Sequence, residues 1–145
     1  MKIIAKNLAE TIRAGREFAA GLKTGGVIGL YGELGAGKTS FVKGVAGQLG
    51  IKTEVKSPTF TLMNIYDTGH GPIRKLVHID TYRLKNSSEL IEIGFEDYLN
   101  DTENLILIEW PEQVADLIKN KSVTKVNFDH APNNSRSITV EWSGA

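Results

Sequence analysis

Three glycines, a lysine and a threonine fall within "YGELGAGKTSF", Tyr31 to Phe41. Helices and strands both disfavour so many glycines. The spacing Gly32-x-x-x-x-Gly37-Lys38-Thr39 is that of a phosphate-binding loop. Glycines let successive backbone N–H groups turn inward and approach phosphate oxygens closely, and a helix that follows presents its positive end to the same anion. Lys38 then supplies a cation to the terminal phosphates, and the Thr39 hydroxyl completes the coordination of Mg²⁺. The candidate nucleotide contacts are Glu33, Leu34, Gly35, Ala36, Gly37, Lys38, Thr39 and Ser40. With glycine at about 7% of residues, chance produces this pattern on the order of once per hundred or more such chains.

A phosphate loop needs a carboxylate to hold the magnesium. "LVHID" ends in Asp80 and "LILIE" ends in Glu109. The second run is the more apolar and is the better candidate for the central strand beside the loop. Carboxylates at the C-terminal ends of such strands point into the ligand crevice. Glu109 is therefore assigned to magnesium, directly or through water. Asp80 is assigned to magnesium through water, or to the orientation of the attacking water. Lys38, Asp80 and Glu109 form the candidate catalytic set. Guanine readers carry Asn-Lys-x-Asp, but "NKSV" at Asn120 lacks the aspartate, so adenine is preferred. The only arginines are Arg13, Arg16, Arg74, Arg83 and Arg136, with no clustered pair in a lid-like insertion. That counts against a small-molecule kinase, which stays open beside a binding switch.

These residues need elements to hold them. Asn7 and Glu10 read as a capping box, with Leu8, Ile12, Ala19 and Leu22 near one helical face. "VIGLY" (27–31) reads as a buried strand, followed by the loop and a helix from about Lys38 to Leu49. Thr59–Asp67 and Ile73–Asp80 read as a hairpin around "TGHGP". Asn86–Asn100 reads as one or two short helices. "NLILIE" (104–109) has no polar alternation and reads as a strand covered on both faces. Pro111 suits the first turn of a helix to about Ile118. "VTKVNFD" and "SITVEW" alternate around "APNNS" as a second hairpin. The fold expected is α/β: a single P-loop NTPase-like domain over residues 1–145, its mixed, partly parallel sheet flanked by helices, with hairpins.

Composition sets outer bounds. A chain of 145 residues can bury roughly 70% of its unfolded surface. The 17 basic residues balance the 17 acidic ones, so there is no net pull toward a polyanion. Cysteine is absent, which excludes disulfides and thiolate metal sites and fits a reducing compartment. No apolar run approaches membrane-spanning length, and the N-terminus lacks the apolar core of a signal peptide. The expectation is a soluble, cytoplasmic protein with no membrane partner.

"GELGAGKTSF", "SPTFTL" from Ser57, "HIDTYRL" from His78, "ELIEIGFEDYL" from Glu89 and "LIEWPE" from Leu107 follow one another in order. Together they cover about Val27 to Glu112, and the chain resembles the bacterial TsaE (formerly YjeE) family of small P-loop ATPases. The resemblance implies ATP and Mg²⁺ as cofactors. It also implies work with the proteins TsaD and TsaB in forming N6-threonylcarbamoyladenosine in tRNAs that read codons starting with A. TsaD carries out the transfer, and ATP binding and hydrolysis here would drive the complex through its cycles, tRNA being met through the partners. By the same resemblance Thr59 lies near the nucleotide as a sensor of the terminal phosphate. Tyr82 and Arg83 form a partner-facing wall or ordinary surface. Trp110 covers the site or packs in the core, and Arg136 is a solvated hairpin charge or a nucleotide contact. His78 reads as a satisfied core or edge histidine.

Overall fold

The computed structural model describes residues 1–33, 35–58, 61–68 and 71–143. Two candidate nucleotide contacts, Leu34 and Thr59, lie outside the described residues. The strands are β1 (Lys2–Ala5), β2 (Gly26–Tyr31), β3 (Met63–Asp67), β4 (Lys75–Asp80), β5 (Asn104–Glu109), β6 (Val123–Ala131) and β7 (Ser135–Glu141). The helices are α1 (Leu8–Ala20), α2 (Lys38–Gln48), α3 (Ser88–Glu92), α4 (Phe95–Leu99) and α5 (Ala115–Ile118). One mixed sheet has the order β1-β7-β6-β2-β5-β4-β3. The central strands β6, β2, β5 and β4 run parallel, and β1, β7 and β3 are added antiparallel. This is the α/β architecture that the strand and helix pattern predicts, with both hairpins present.

Strand alternation sorts the apolar residues into two layers. Leu30, Leu105, Leu107 and Val126 face α1 and α2, where Phe18, Phe41 and Val45 complete one core. Val77, Ile79, Ile106 and Ile108 face the other way, against Leu90, Phe95, Val114 and Ile118. β5 is buried along its whole length, as its unbroken apolar run requires.

Some elements differ from the sequence expectation. β1 was not anticipated, since four residues carry little alternation and their partner β7 is remote in sequence. β3 begins at Met63, after a turn that holds Leu62 at φ +66°. Helix α1 buries Thr11, Ala14, Gly15, Phe18 and Ala19, whereas Leu8 is 65% exposed. The buried stripe is thus rotated from the one through Leu8, because small residues face α2. The cap itself is present: Glu10 N donates to Asn7 Oδ1 at 2.9 Å. The return bond, 3.1 Å long, runs to Glu10 Oε1 from Lys6 N, one residue before the cap residue.

The α1–α2 contact is backbone on backbone. A β-carbon on Gly15 would lie 2.1 Å from the Phe41 carbonyl oxygen, and one on Gly44 would lie 1.9 Å from that of Ile12. No side chain yields there, so the helices themselves would have to part. Helix α2 carries Lys38 and Thr39, which ties this packing to the phosphate loop. Gly44→Ala is expected to cost about 1–3 kcal/mol as an overpacked contact. That corresponds to a melting point roughly 2–12 °C lower for a chain this long. Thermal unfolding followed by circular dichroism checks it, and an unchanged melting point would refute the backbone contact.

Candidate functional site

The loop after β2 enters α2 through Gly37, whose φ of +97° lies where a β-carbon is strained. No side chain caps this helix start, so its first-turn N–H groups are left for an external acceptor. Lys38 is 4% exposed. Its Nζ donates to the Gly32 carbonyl at 2.6 Å and stands 3.7 Å from the centre of the Trp110 ring. Burial lowers the Lys38 pKa, and the nearby charges of Glu109, Asp80 and Glu112 partly restore it.

The carboxylates come from adjacent parallel strands. β4 and β5 pair with Asp80 level with Glu109, and β5 pairs with β2, which leads into the loop. His78, Asp80 and Glu109 share the sheet face that looks toward α2, two residues apart on β4 and level across to β5. Glu109 Oε2 lies 3.4 Å from the Thr39 hydroxyl and 2.6 Å from His78 Nε2. Asp80 Oδ2 accepts from the Ser57 hydroxyl at 3.4 Å, and its Oδ1 accepts from Tyr82 N at 3.0 Å. Lys38, Thr39, Ser57, Asp80, Glu109 and Trp110 line one open cleft of about 490 Å³.

Trp110 adopts the left-handed conformation, φ +61° and ψ +50°, which costs a non-glycine residue about 1 kcal/mol or more. Thr81, fully buried, shares its hydroxyl proton between the carbonyls of Glu109 (3.0 Å) and Trp110 (2.5 Å). The bend lays the indole over Lys38, with the Tyr82 ring 5.0 Å away. Trp110 thus lines the cleft above Lys38 and belongs to neither core layer.

Arg136 reaches the loop from β7, on the opposite flank of β2 from β4 and β5. Its guanidinium donates to the carbonyls of Gly35 (3.1 Å), Asn134 (3.3 Å) and Ser135 (3.2 Å). A second recess of about 160 Å³ opens there, between Asn7, Leu8, Thr11, Gly35, Asn134 and Arg136. Glu33 projects from the loop into solvent, 3.8 Å from His130 Nε2, and Ala36 is buried. Ser40 lines the main cleft from the first turn of α2. The sequence reading missed two residues that shape the site, His78 as a partner of Glu109 and Thr81 as the clamp on Trp110. The i, i+2 spacing of His78 and Asp80 was a signal for the first.

The donor set suits a hard cation. Glu109 and Thr39 offer oxygen ligands within reach of one another, next to the glycine-rich loop. Among the described residues no three His, Cys, Asp or Glu side chains form a protein-only metal cage. A magnesium ion held by one carboxylate and nucleotide phosphates fits such a site, whereas a resident ion does not. No helix among the described residues is long and apolar enough to cross a membrane.

Comparison with known proteins agrees with the fold. Residues 5–138 match the family profile described as "Threonylcarbamoyl adenosine biosynthesis protein TsaE". The Treponema pallidum tRNA threonylcarbamoyladenosine biosynthesis protein TsaE is 38% identical over 140 residues, covering 97% of this chain and 99% of that one. The Bacillus subtilis protein of the same name is 36% identical over 138 residues, with coverage of 95% and 83%. A crystal structure of Bacillus subtilis YdiB superposes with a TM-score of 0.74 at 32% identity, over 99% of this chain and 86% of that chain. With the profile spanning β2 to β6, the glycine-rich loop and both carboxylates, the chain belongs to the TsaE family.

Proposed function

We propose that this protein is the ATP-binding and ATP-hydrolysing component of tRNA threonylcarbamoyladenosine biosynthesis. It works with TsaD and TsaB, and drives the cycle of that complex without itself making the transfer. The observation that carries the ATPase reading is the meeting of Lys38, Thr39 and Glu109 at the C-terminal end of the parallel strands, around one cleft. The place in tRNA modification is supported by the family to which the chain belongs. The cytoplasm, where tRNA and nucleotide are both at hand, is the compartment assigned.

Each residue has a chemical task. The first-turn N–H groups of α2 bind phosphate oxygens. Lys38 exchanges the Gly32 carbonyl and the Trp110 ring for the terminal phosphates. Thr39 and Glu109 hold Mg²⁺, which neutralises charge on the transferring phosphoryl group. Asp80 lines the same crevice and would orient the attacking water or reach the metal through water. The nucleoside is assigned to the recess beside Gly35 and Gly37, where Asn7, Thr11 and Arg136 offer polar groups.

ATP or ADP with Mg²⁺ should raise the melting point, and GTP should do so less. At a ligand concentration about a hundred times Kd the stabilisation is about 2.7 kcal/mol. For this chain length that is roughly 5–11 °C in differential scanning fluorimetry. Equal shifts with ATP and GTP would reject the adenine preference. Lys38→Ala removes a charge-assisted contact made in the ground state, about 1.5–3 kcal/mol or roughly 10–100-fold in affinity. Glu109→Ala should leave metal-free binding intact and abolish magnesium-dependent turnover. Full activity in Glu109→Ala would overturn the carboxylate assignment.

The purified chain should hydrolyse ATP slowly and accelerate when TsaD and TsaB are added. Charge-stabilising groups supplied in trans contribute about 10³–10⁵ in other P-loop enzymes. Steady-state hydrolysis with and without TsaD–TsaB, beside threonylcarbamoyl transfer to tRNA, tests this. Unchanged turnover and no association would reject the proposed role, and a phosphorylated small-molecule acceptor would establish a kinase instead.

A further inference from the structure

His78 lies on β4, between the edge strand β3 and β5, and is fully buried. A leucine would fill such a position without any polar group to satisfy. The ring instead brings two nitrogens, and Nδ1 has no hydrogen-bond partner among the described residues. A buried polar atom left in that state is costly. The other nitrogen, Nε2, is 2.6 Å from Glu109 Oε2. Only a ring with its proton on Nε2 makes this contact, because two bare acceptors would repel at that distance.

The contact falls on the carboxylate assigned to magnesium. Glu109 Oε2 also meets the Thr39 hydroxyl, at 3.4 Å, so one oxygen links the two proposed metal ligands. Lys38 is the competitor. Its ammonium feels the Glu109 charge, yet it forms no ion pair with a carboxylate among the described residues. A free Glu109 side chain would swing toward that ammonium. A direct Lys38–Glu109 pair would spend on each other the two charges that face the nucleotide and its metal.

We propose that His78 is the positioning residue for Glu109: its Nε2–H holds the carboxylate beside Thr39 and away from Lys38. This rests on the reading of Glu109 as the magnesium ligand. Magnesium tolerates little departure from octahedral geometry, so a small rotation of the carboxylate matters. Partners that orient a metal ligand are worth 10–100-fold in metal affinity or activity elsewhere.

The test is nucleotide affinity of the full chain, measured by calorimetry with a non-hydrolysable ATP analogue in Mg²⁺ and in EDTA. His78→Leu should keep the EDTA affinity within about twofold and lose about 10–100-fold of the magnesium enhancement. His78→Gln, whose amide nitrogen reaches the place of Nε2, should restore the enhancement to within a few-fold. His78→Asn, polar but too short to reach Glu109, should behave like His78→Leu. Melting points identify any variant that fails to fold, and the Gln–Asn comparison decides the matter if leucine is not tolerated. An enhancement equal to wild type in the leucine or asparagine variant, or affinity lost equally in Mg²⁺ and EDTA, would overturn the proposal. So would a glutamine variant that is folded yet no better than asparagine. Glu109→Ala separates the two layers of the argument. If it too keeps the enhancement, the magnesium reading of Glu109 fails. If it alone loses it, only the role of His78 fails.

Discussion

A buried ammonium with no ion-pair partner among the described residues is the constraint around which this structure is arranged. Lys38 is almost fully covered, and burial pushes its pKa down, which is the signature of a charge held at a cost. Its direct partners are a carbonyl and an aromatic face, both weaker than a carboxylate. Glu109, Asp80 and Glu112 act on it through space and push its pKa partly back up without pairing with it directly. Under the proposed function, a phosphate in the loop would relieve this cost directly. The rest of the site can be understood as support for that unspent charge.

The support is topological. Parallel pairing sets Asp80 level with Glu109, and the neighbouring pair β5–β2 sets both beside the loop. Alternation along β4 then puts His78 on the same face, two residues below Asp80. Thr81, the next residue, binds back to β5 and holds the bend that lays Trp110 over Lys38. Four consecutive positions, His78 to Thr81, thus supply a hold on Glu109, a core residue, a second carboxylate and a clamp. On the other side the β6–β7 hairpin returns Arg136 to the carbonyl of Gly35. The backbone contact of α1 with α2 fixes the helix from which Lys38 and Thr39 project.

What was legible in the sequence follows the range of each interaction. The glycines, Lys38 and Thr39 announce a loop because their roles are local. The unbroken apolar run of β5 and the capping box at Asn7 are local in the same sense. β1 was missed because it exists only through pairing with β7, at the far end of the chain. Leu8 was placed on the buried stripe by helical periodicity alone. In the structure, close packing of small residues decides which face of α1 is covered, and Leu8 borders the recess beside the loop. Gly15 and Gly44 were visible as glycines inside helices, where each costs about 1 kcal/mol relative to alanine. That cost signals a close approach, though not against which neighbour. Trp110 precedes Pro111, and such residues are driven out of the right-handed helical region. The sign of its φ and the ring that it covers depend on Thr81 and Lys38, which no local pattern contains.

The same contacts link the interior of the site to its surface. Lys38 touches the Trp110 ring, and the Trp110 ring lies beside that of Tyr82, which is 45% exposed. Under the proposed function, a terminal phosphate that drew Lys38 away from the Trp110 ring would change the support beneath the indole. Two sites that bias one movable element are coupled reciprocally. A protein seated on Tyr82 that prefers one placement of Trp110 must therefore bind with an affinity that depends on nucleotide, and must change the affinity for nucleotide by the same factor. Such coupling needs no long relay, because one aromatic ring separates the ammonium from solvent. A cleft closed by the chain's own lid would lack this property, since its surface would report the lid and not the phosphate. The open cleft and the shared ring at its rim are in this sense parts of one arrangement, in which the buried Lys38 is kept one ring contact away from the exposed Tyr82.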